Sequence, residues 1–310
     1  MPKKEETKGF IKKLLGRFLD SEWSDGKIKE ELALYHEEVL IQGLEEGKFN
    51  PNRLLFGKLP IFNEAVESDL FDFVRKLIQK GVDVNQQDGN GKTAVMCLVD
   101  GWWNAQNRKF WPLLKKAGAD FNKPDNEGKS PLLRLFGELK KDASIPVFQA
   151  DRFDCLSYQI EYLLKFGADI NFKDKEGQTA LHQAVVAESY LAVRFLVKNK
   201  ADLNAQDNEG NTPLHYAVRL GLFVIAQCLI TKEIDLLKKN KEGEDAYNFA
   251  MKEGEREIAE LITKELLRRK KEERRVQKKL EKTGSSSKIS SQTSYLKKML
   301  ADTTKGIHIK

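Results

Sequence analysis

The stretch from Asp174 to Asp235 holds two copies of one pattern, DKEGQTALHQAV…FLVKNKADLN and DNEGNTPLHYAV…CLITKEIDLL. Gly177 and Gly210 are 33 residues apart, and Thr179/Thr212 and His182/His215 keep the same spacing. A fixed period of this length marks a small supersecondary unit that cannot bury its apolar face alone and must stack on its neighbours. Each recurring position has a mechanical reason. The glycines suit a tight turn that needs φ > 0. The threonines suit the cap of the helix that follows. Pro213 suits a first helical position, where its missing N–H costs nothing. The Ala and Leu that follow recur at helical spacing and face a neighbour.

The pattern extends outward with more variation. Asp125-Asn-Glu-Gly128 leads into SPLLRLF, Asp88-Gly-Asn-Gly91 into TAVMCL, and Asn240-Lys-Glu-Gly243 into EDAYNFA. The turn glycines Gly91, Gly128, Gly177, Gly210 and Gly243 are 37, 49, 33 and 33 apart. Gly81, Gly118 and Gly167, each followed by a V/A-D pair, suit the left-handed residue just past a helix. A degenerate first copy, Leu59 to Asn85, has two helices and no turn motif before it. This T-P-L-H-x-A repeat resembles the ankyrin repeat, with about six units over roughly residues 53–267. The resemblance implies an all-α ankyrin-repeat solenoid of helix-turn-helix pairs with β-turn or hairpin loops. It also implies a non-enzymatic protein–protein interaction adaptor or scaffold, with no cofactor and no small-molecule substrate.

The organisation expected is a helical cap over residues 1–52, repeats over 53–267, and a basic helix with a Ser/Lys-rich tail over 268–310. A hydrophobic share of 40% is enough for a core. Cys97, Cys155 and Cys228 fall in helical segments without paired spacing, so they read as core residues in a reducing compartment. No stretch reaches 18 uninterrupted apolar residues, so no membrane span is expected. Residues 3–20 form a basic amphipathic pattern, with Phe10, Ile11, Leu14, Leu15, Phe18 and Leu19 on one face. Two readings stand for it: an anchor on an anionic membrane surface, or a cover for the first repeat. A single helix is expected from about Asp25 to Glu46, and Asn50-Pro51-Asn52 then breaks the chain.

The 37- and 49-residue periods hold about 4 and 16 extra residues, placed around Gly101 to Pro112 and Gly137 to Phe153. Those units are consecutive, so the insertions read as one ledge on one face. The first carries Trp102, Trp103, Phe110 and Trp111, and the second Phe148 and Arg152 among other apolar and basic residues. Aromatic and arginine side chains together mark interface anchors. The competing reading is that the rings plug a gap left by irregular repeats.

Catalytic and metal chemistry find no support in the spacing. GNGKT at Gly89–Thr93 lacks the earlier glycine of a phosphate loop, since Gln86 stands there. Asp-x-Asn pairs such as Asp83/Asn85 and Asp169/Asn171 lack the glycine and the bidentate glutamate of a calcium loop. His182 and His215 lie one repeat apart, too far to share a zinc ion. The ankyrin resemblance gives Thr179, His182, Thr212 and His215 structural roles, the histidines bonding neighbouring turn backbone. It also gives partner-binding positions. These are the turn tips Asn90, Lys92, Asn126, Lys129, Lys175, Gln178, Asn208 and Asn211, and the first-helix positions Val186, Arg219 and Leu220.

The last helix runs on into KELLRRKKEERRVQKKLEK. Residues 264–282 carry ten Lys/Arg and four Asp/Glu, a net of +6 that equals the charge of the whole chain. Heptad phasing from Ile262 puts Arg269 and Glu273 in the seam, which makes a weak coiled coil. Arg268, Arg269, Lys270, Lys271, Arg274 and Arg275 form a basic patch. It suits an anionic partner such as RNA, acidic lipid or an import receptor, and this gives the alternative function of a nucleic-acid- or membrane-associated protein. The expected location is the cytoplasm, or the nucleus by import; for an effector of an intracellular bacterium it is the host cytoplasm. The TGSSSKISSQTS segment reads as disordered.

Overall fold

The computed structural model describes residues 22–100, 107–141, 150–231 and 234–282. Its chain divides between Asp169 and Ile170 into two compact units. Unit 1 contains α1 (Asp25–Ala33), α2 (Glu37–Glu45), β1 (Leu54–Leu55), β2 (Leu59–Pro60), α3 (Ile61–Glu67) and α4 (Phe71–Gln79). It continues with α5 (Ala94–Asp100), a 3-10 turn at Asn107–Lys109, α6 (Phe110–Lys116), α7 (Pro131–Lys141) and α8 (Ala150–Phe166). Unit 2 contains α9 (Ala180–Val186), α10 (Tyr190–Lys198), α11 (Pro213–Arg219), α12 (Phe223–Leu229), α13 (Ala246–Glu253) and α14 (Arg256–Lys282).

Most of these helices are only seven to nine residues long. Helices that short are marginal in water, so packing must hold them. In unit 1 the first helices α3, α5 and α7 stack in succession, and in unit 2 α9, α11 and α13 do the same. The second helices form the other layer: α2 against α4, α6 against α8, and α10, α12 and α14 in series. The first helices are apolar on nearly every side; all of Ala94 to Val99 are buried, for example. That burial fits a helix sandwiched between two neighbours and its own partner.

The expected helix Asp25–Glu46 is instead the pair α1 and α2. The chain reverses at Tyr35, which takes a left-handed conformation at φ 56. Asp69, Glu188, Gly221 and Gly254 take the same step at the corresponding point of their own pairs. The reversal lets Ile28 and Leu32 of α1 and Leu40 and Leu44 of α2 all bury. A left-handed residue with a side chain costs roughly 1–2 kcal/mol, which burial of four aliphatic side chains exceeds. The turn motif missing before the first recognised copy is replaced by a hairpin, with Leu54 opposite Pro60 and Leu55 opposite Leu59.

The insertions also differ from the expected loops. Helix α7 extends to Lys141 and α8 begins at Ala150, so part of Gly137–Phe153 lengthens two helices. Helix α6 starts at Phe110 with Pro112 in its first turn, where a missing N–H is tolerated. The amphipathic segment 3–20 and the Ser/Lys-rich tail lie outside the described residues.

Candidate functional site

The turn tips are built from one device. In the turn at Asp174, the carboxylate Oδ1 accepts from the N–H groups of Glu176 (3.1 Å) and Gln178 (2.7 Å). Gly177 closes the turn at φ +77, and a Cβ there would lie 2.8 Å from the Asn208 nitrogen of the next tip. That close approach lets the tips bond each other. The Asn208 N–H donates to Glu176 O at 2.9 Å, and its side chain donates to Lys175 O at 2.7 Å. In unit 1, Asn126 makes the same pair of bonds to Asn90 O and Gly89 O.

Below the tips, Thr179 and Thr212 open α9 and α11 as extended N-caps. The Thr179 N–H donates to His182 Nδ1 at 3.1 Å, and His182 Nε2 lies 3.1 Å from Asn211 O of the next turn. Thr212 and His215 repeat this arrangement toward Glu244 O, 3.2 Å away. Each ring therefore accepts at Nδ1 and donates from Nε2, which is the work of a neutral imidazole. Burial pushes the His182 imidazole down to about 4 and lowers His215 as well.

On α7, α9 and α11 the next residue along the helix reaches its own turn aspartate. Gln183 donates to Asp174 Oδ2 (3.4 Å), the Tyr216 hydroxyl to Asp207 Oδ2 (2.8 Å), and Arg134 to Asp125 Oδ2 (2.7 Å). Gln178 joins Tyr216 and Gln183 into one network, at 2.8 and 2.6 Å. Burial, then the bond to Asp207, raises the Tyr216 phenol above its ordinary range. The Asp-x-Asn pairs read above as failed calcium loops form a second seam. The N–H groups of Asp83, Asp120, Asp169, Asp202 and Asp235 donate to the side chains of Asn52, Asn85, Asn122, Asn171 and Asn204, 31 to 47 residues earlier. Sequence reasoning saw that recurrence without its use. It passed over Gln183, Tyr216 and Arg134, whose signal is their constant nine-residue distance from a turn aspartate.

The partner-binding positions now separate. Asn90 and Lys175 are exposed. Lys92 pairs with Asp100 at 3.0 Å and Lys129 with Glu127 at 2.7 Å. Asn126 and Asn208 face solvent but hold the adjoining tip, and Gln178 belongs to the tyrosine network. Asn211 is corrected: it is 5% exposed, with its carbonyl on His182 and its N–H on Asp207. Val186 is half-buried, whereas Arg219 and Leu220 are exposed.

The ledge is corrected at two positions. Phe110 and Trp111 are fully buried. Trp111 stacks on Phe121 and Phe166, at 6.1 and 6.2 Å, and meets Tyr162 edge-on at 6.0 Å. These two rings fill the space between the second helices and face no partner. Trp102, Trp103, Phe148 and the Arg152 side chain lie outside the described residues.

The basic patch is also divided. Arg269 donates to the carbonyls of Ile234 (2.8 Å) and Thr231, in the loop after α12. With Arg268 it also holds Glu265, whose carboxyl is lowered to about 2 by Arg268 first and Arg269 next. Arg268 further pairs with Glu272 at 3.0 Å. Lys271, Arg274 and Arg275 are exposed, and Lys270 is half-buried. Arg269 thus docks the helix; it is not a free charge.

Comparison with known proteins agrees with this architecture. A family model described as ankyrin repeats in three copies matches residues 147–240 and 193–273. An ankyrin repeat protein, L271, of Acanthamoeba polyphaga mimivirus is 28% identical over 38% of this chain. The chain spans about a fifth of that relative, the match covering 20% of it. The crystal structure of the ankyrin repeat domain of Bcl-3, a member of the IkappaB family, superposes with a TM-score of 0.62 at 19% identity. That match covers 79% of this chain and all of the Bcl-3 domain.

Proposed function

Because the chain carries ankyrin repeats, whose general role is to bind other proteins, we propose that it is a non-enzymatic adaptor. Its contact surface is then the first-helix face of unit 2. The carrying observation is how the polar groups of the repeats are used. Turn aspartates, histidines, asparagines and the Gln178–Tyr216–Asp207 network are all engaged within the array. On α9 and α11 what this face leaves to solvent is Arg219 and Leu220, with Val186 half-exposed one repeat earlier; Met251 on α13 is exposed as well. An apolar centre beside an arginine is the composition of an interface anchor.

The test is capture from cell lysate by the full chain and by its Val186→Asp and Leu220→Asp variants. Both variants should melt with the parent and lose the parent's specific partners. Undiminished capture by both would refute the assignment of this face.

A second reading places an anionic partner on α14. Lys271, Arg274 and Arg275 support it, being exposed beyond the Glu265 cluster. Binding there should weaken steeply with salt, whereas contact through Val186 and Leu220 should be only mildly salt-sensitive.

A further inference from the structure

We infer that Arg219 anchors an Asp or Glu side chain of a partner polypeptide on the first-helix face of unit 2. The inference deepens the adaptor reading and rests on it.

Seven residues after the cap, the first helices carry a charged residue in four repeats: Glu67, Asp100, Arg219 and Lys252. Two of these charges are answered from within the fold. Asp100 meets Lys92 at 3.0 Å and Arg134 at 2.6 Å. Lys252 meets Glu242 and Glu244, each at 2.9 Å. Arg219 has no ion pair and no hydrogen bond among the described residues, and it is exposed.

Its geometry is nevertheless fixed. The guanidinium lies 5.4 Å from the Tyr216 ring centre and 5.5 Å from that of Phe249. Both rings are held: Tyr216 by Asp207 and Gln178, and Phe249 by burial to 4%. A guanidinium resting on ring faces keeps its N–H edge for a ligand, and that edge matches a carboxylate in two parallel bonds. Stacking orders the side chain before the ligand arrives, so less freedom is lost on binding. Leu220, 41% exposed, offers an apolar contact beside it.

Charge complementarity selects the occupant. This chain's own C-terminal stretch cannot serve: residues 264–282 carry a net +6, and residues 283–310 add five lysines against the single Asp302. Residues 1–21 are net positive too, with six Lys/Arg against Glu5, Glu6 and Asp20, so charge complementarity favours a carboxylate from a separate polypeptide.

The experiment selects linear peptides from a random display library against the full chain and measures synthetic versions of the winners by fluorescence anisotropy. The expected peptides share an Asp or Glu at one position. Arg219→Gln should weaken them about tenfold or more, as should the peptide's own Glu→Gln change, and the two losses should not add. Arg219→Lys should recover only part. The melting temperature should not move. Selected peptides that need no carboxylate, or that tolerate Arg219→Gln, overturn the anchor, and so does a library that yields no binder. Sensitivity to Leu220→Asp without sensitivity to Arg219→Gln would remove the anchor and leave the adaptor reading standing. Insensitivity to both Leu220→Asp and Val186→Asp would remove that reading too.

Discussion

The two lengthened repeats of unit 1 and the regular repeats of unit 2 fill the same helical slot with opposite chemistry. In unit 2 the third residue after the cap is His182 or His215, buried and bonded to the next turn. In unit 1 it is Asn63 in the first repeat, whose side chain donates to Lys92 O at 2.9 Å, and then Met96 and Leu133 in the two lengthened repeats, equally buried and apolar. Unit 2 ties each repeat to the next through a neutral imidazole between two backbone groups. The lengthened repeats of unit 1 have no such tie at Met96 or Leu133. They carry the Trp111, Phe121, Tyr162 and Phe166 cluster and the Arg134 bridge from Asp100 to Asp125. The period therefore fixes where helices stack, but not which force holds them. Regular repeats can rely on a directional bond, because its geometry recurs every 33 residues. A lengthened repeat loses that register, and non-directional aromatic packing tolerates the change.

The largest expected effect tests the apolar side of this contrast. Trp111→Ala should cost about 3–5 kcal/mol, as emptying a packed aromatic site does, read by urea unfolding of the full chain. A loss near zero would show that the cluster does not hold unit 1.

Acid should act on the imidazole side. His182 titrates near 6.5 when unfolded and at about 4 when folded. Between those values the unfolded chain binds more protons, so stability is full above pH 6.5 and falls as pH drops toward 4. The contribution at stake is on the order of 3 kcal/mol. The difference between the stability–pH profiles of the parent and a His182→Leu/His215→Leu variant isolates it. Parallel profiles would mean that the rings carry no pH-linked stability.

Converting one slot to the chemistry of Met96 and Leu133 should have a smaller effect. His182→Leu keeps the volume but strands the Thr179 N–H and leaves the Asn211 carbonyl only its bond from the Asp207 N–H, at roughly 1–3 kcal/mol. Hydrogen exchange of the α9 and α11 amides should localise the loss. An unchanged variant would erase the distinction between the lengthened and the regular repeats.

The smallest effects lie on α14, where polar closure of unit 2 continues. Arg269→Gln should lower stability by about 1 kcal/mol, because two loop carbonyls lose the guanidinium that bridges them. Lys271→Gln, Arg274→Gln and Arg275→Gln together should leave the melting temperature nearly unmoved, since exposed pairs contribute roughly 0–1 kcal/mol. Equal losses in both variants would deny Arg269 its docking role.

The sequence by itself determined the stacked helix pairs, the turn glycines and the slots of Thr179 and His182. These follow from local rules that repeat: a left-handed turn, a cap and an apolar period of 3.6. The second seam was visible as Asp-x-Asn, but not its use, because its acceptors and donors lie one repeat apart. Only the tertiary structure decided which side chains remain for a partner. It buried Phe110, Trp111 and Asn211, turned the chain at Tyr35, and assigned Arg269 to a loop. Exposure and pairing depend on residues brought together from about 30 or more positions away, as Arg269 and Ile234 are, and no local pattern encodes that distance.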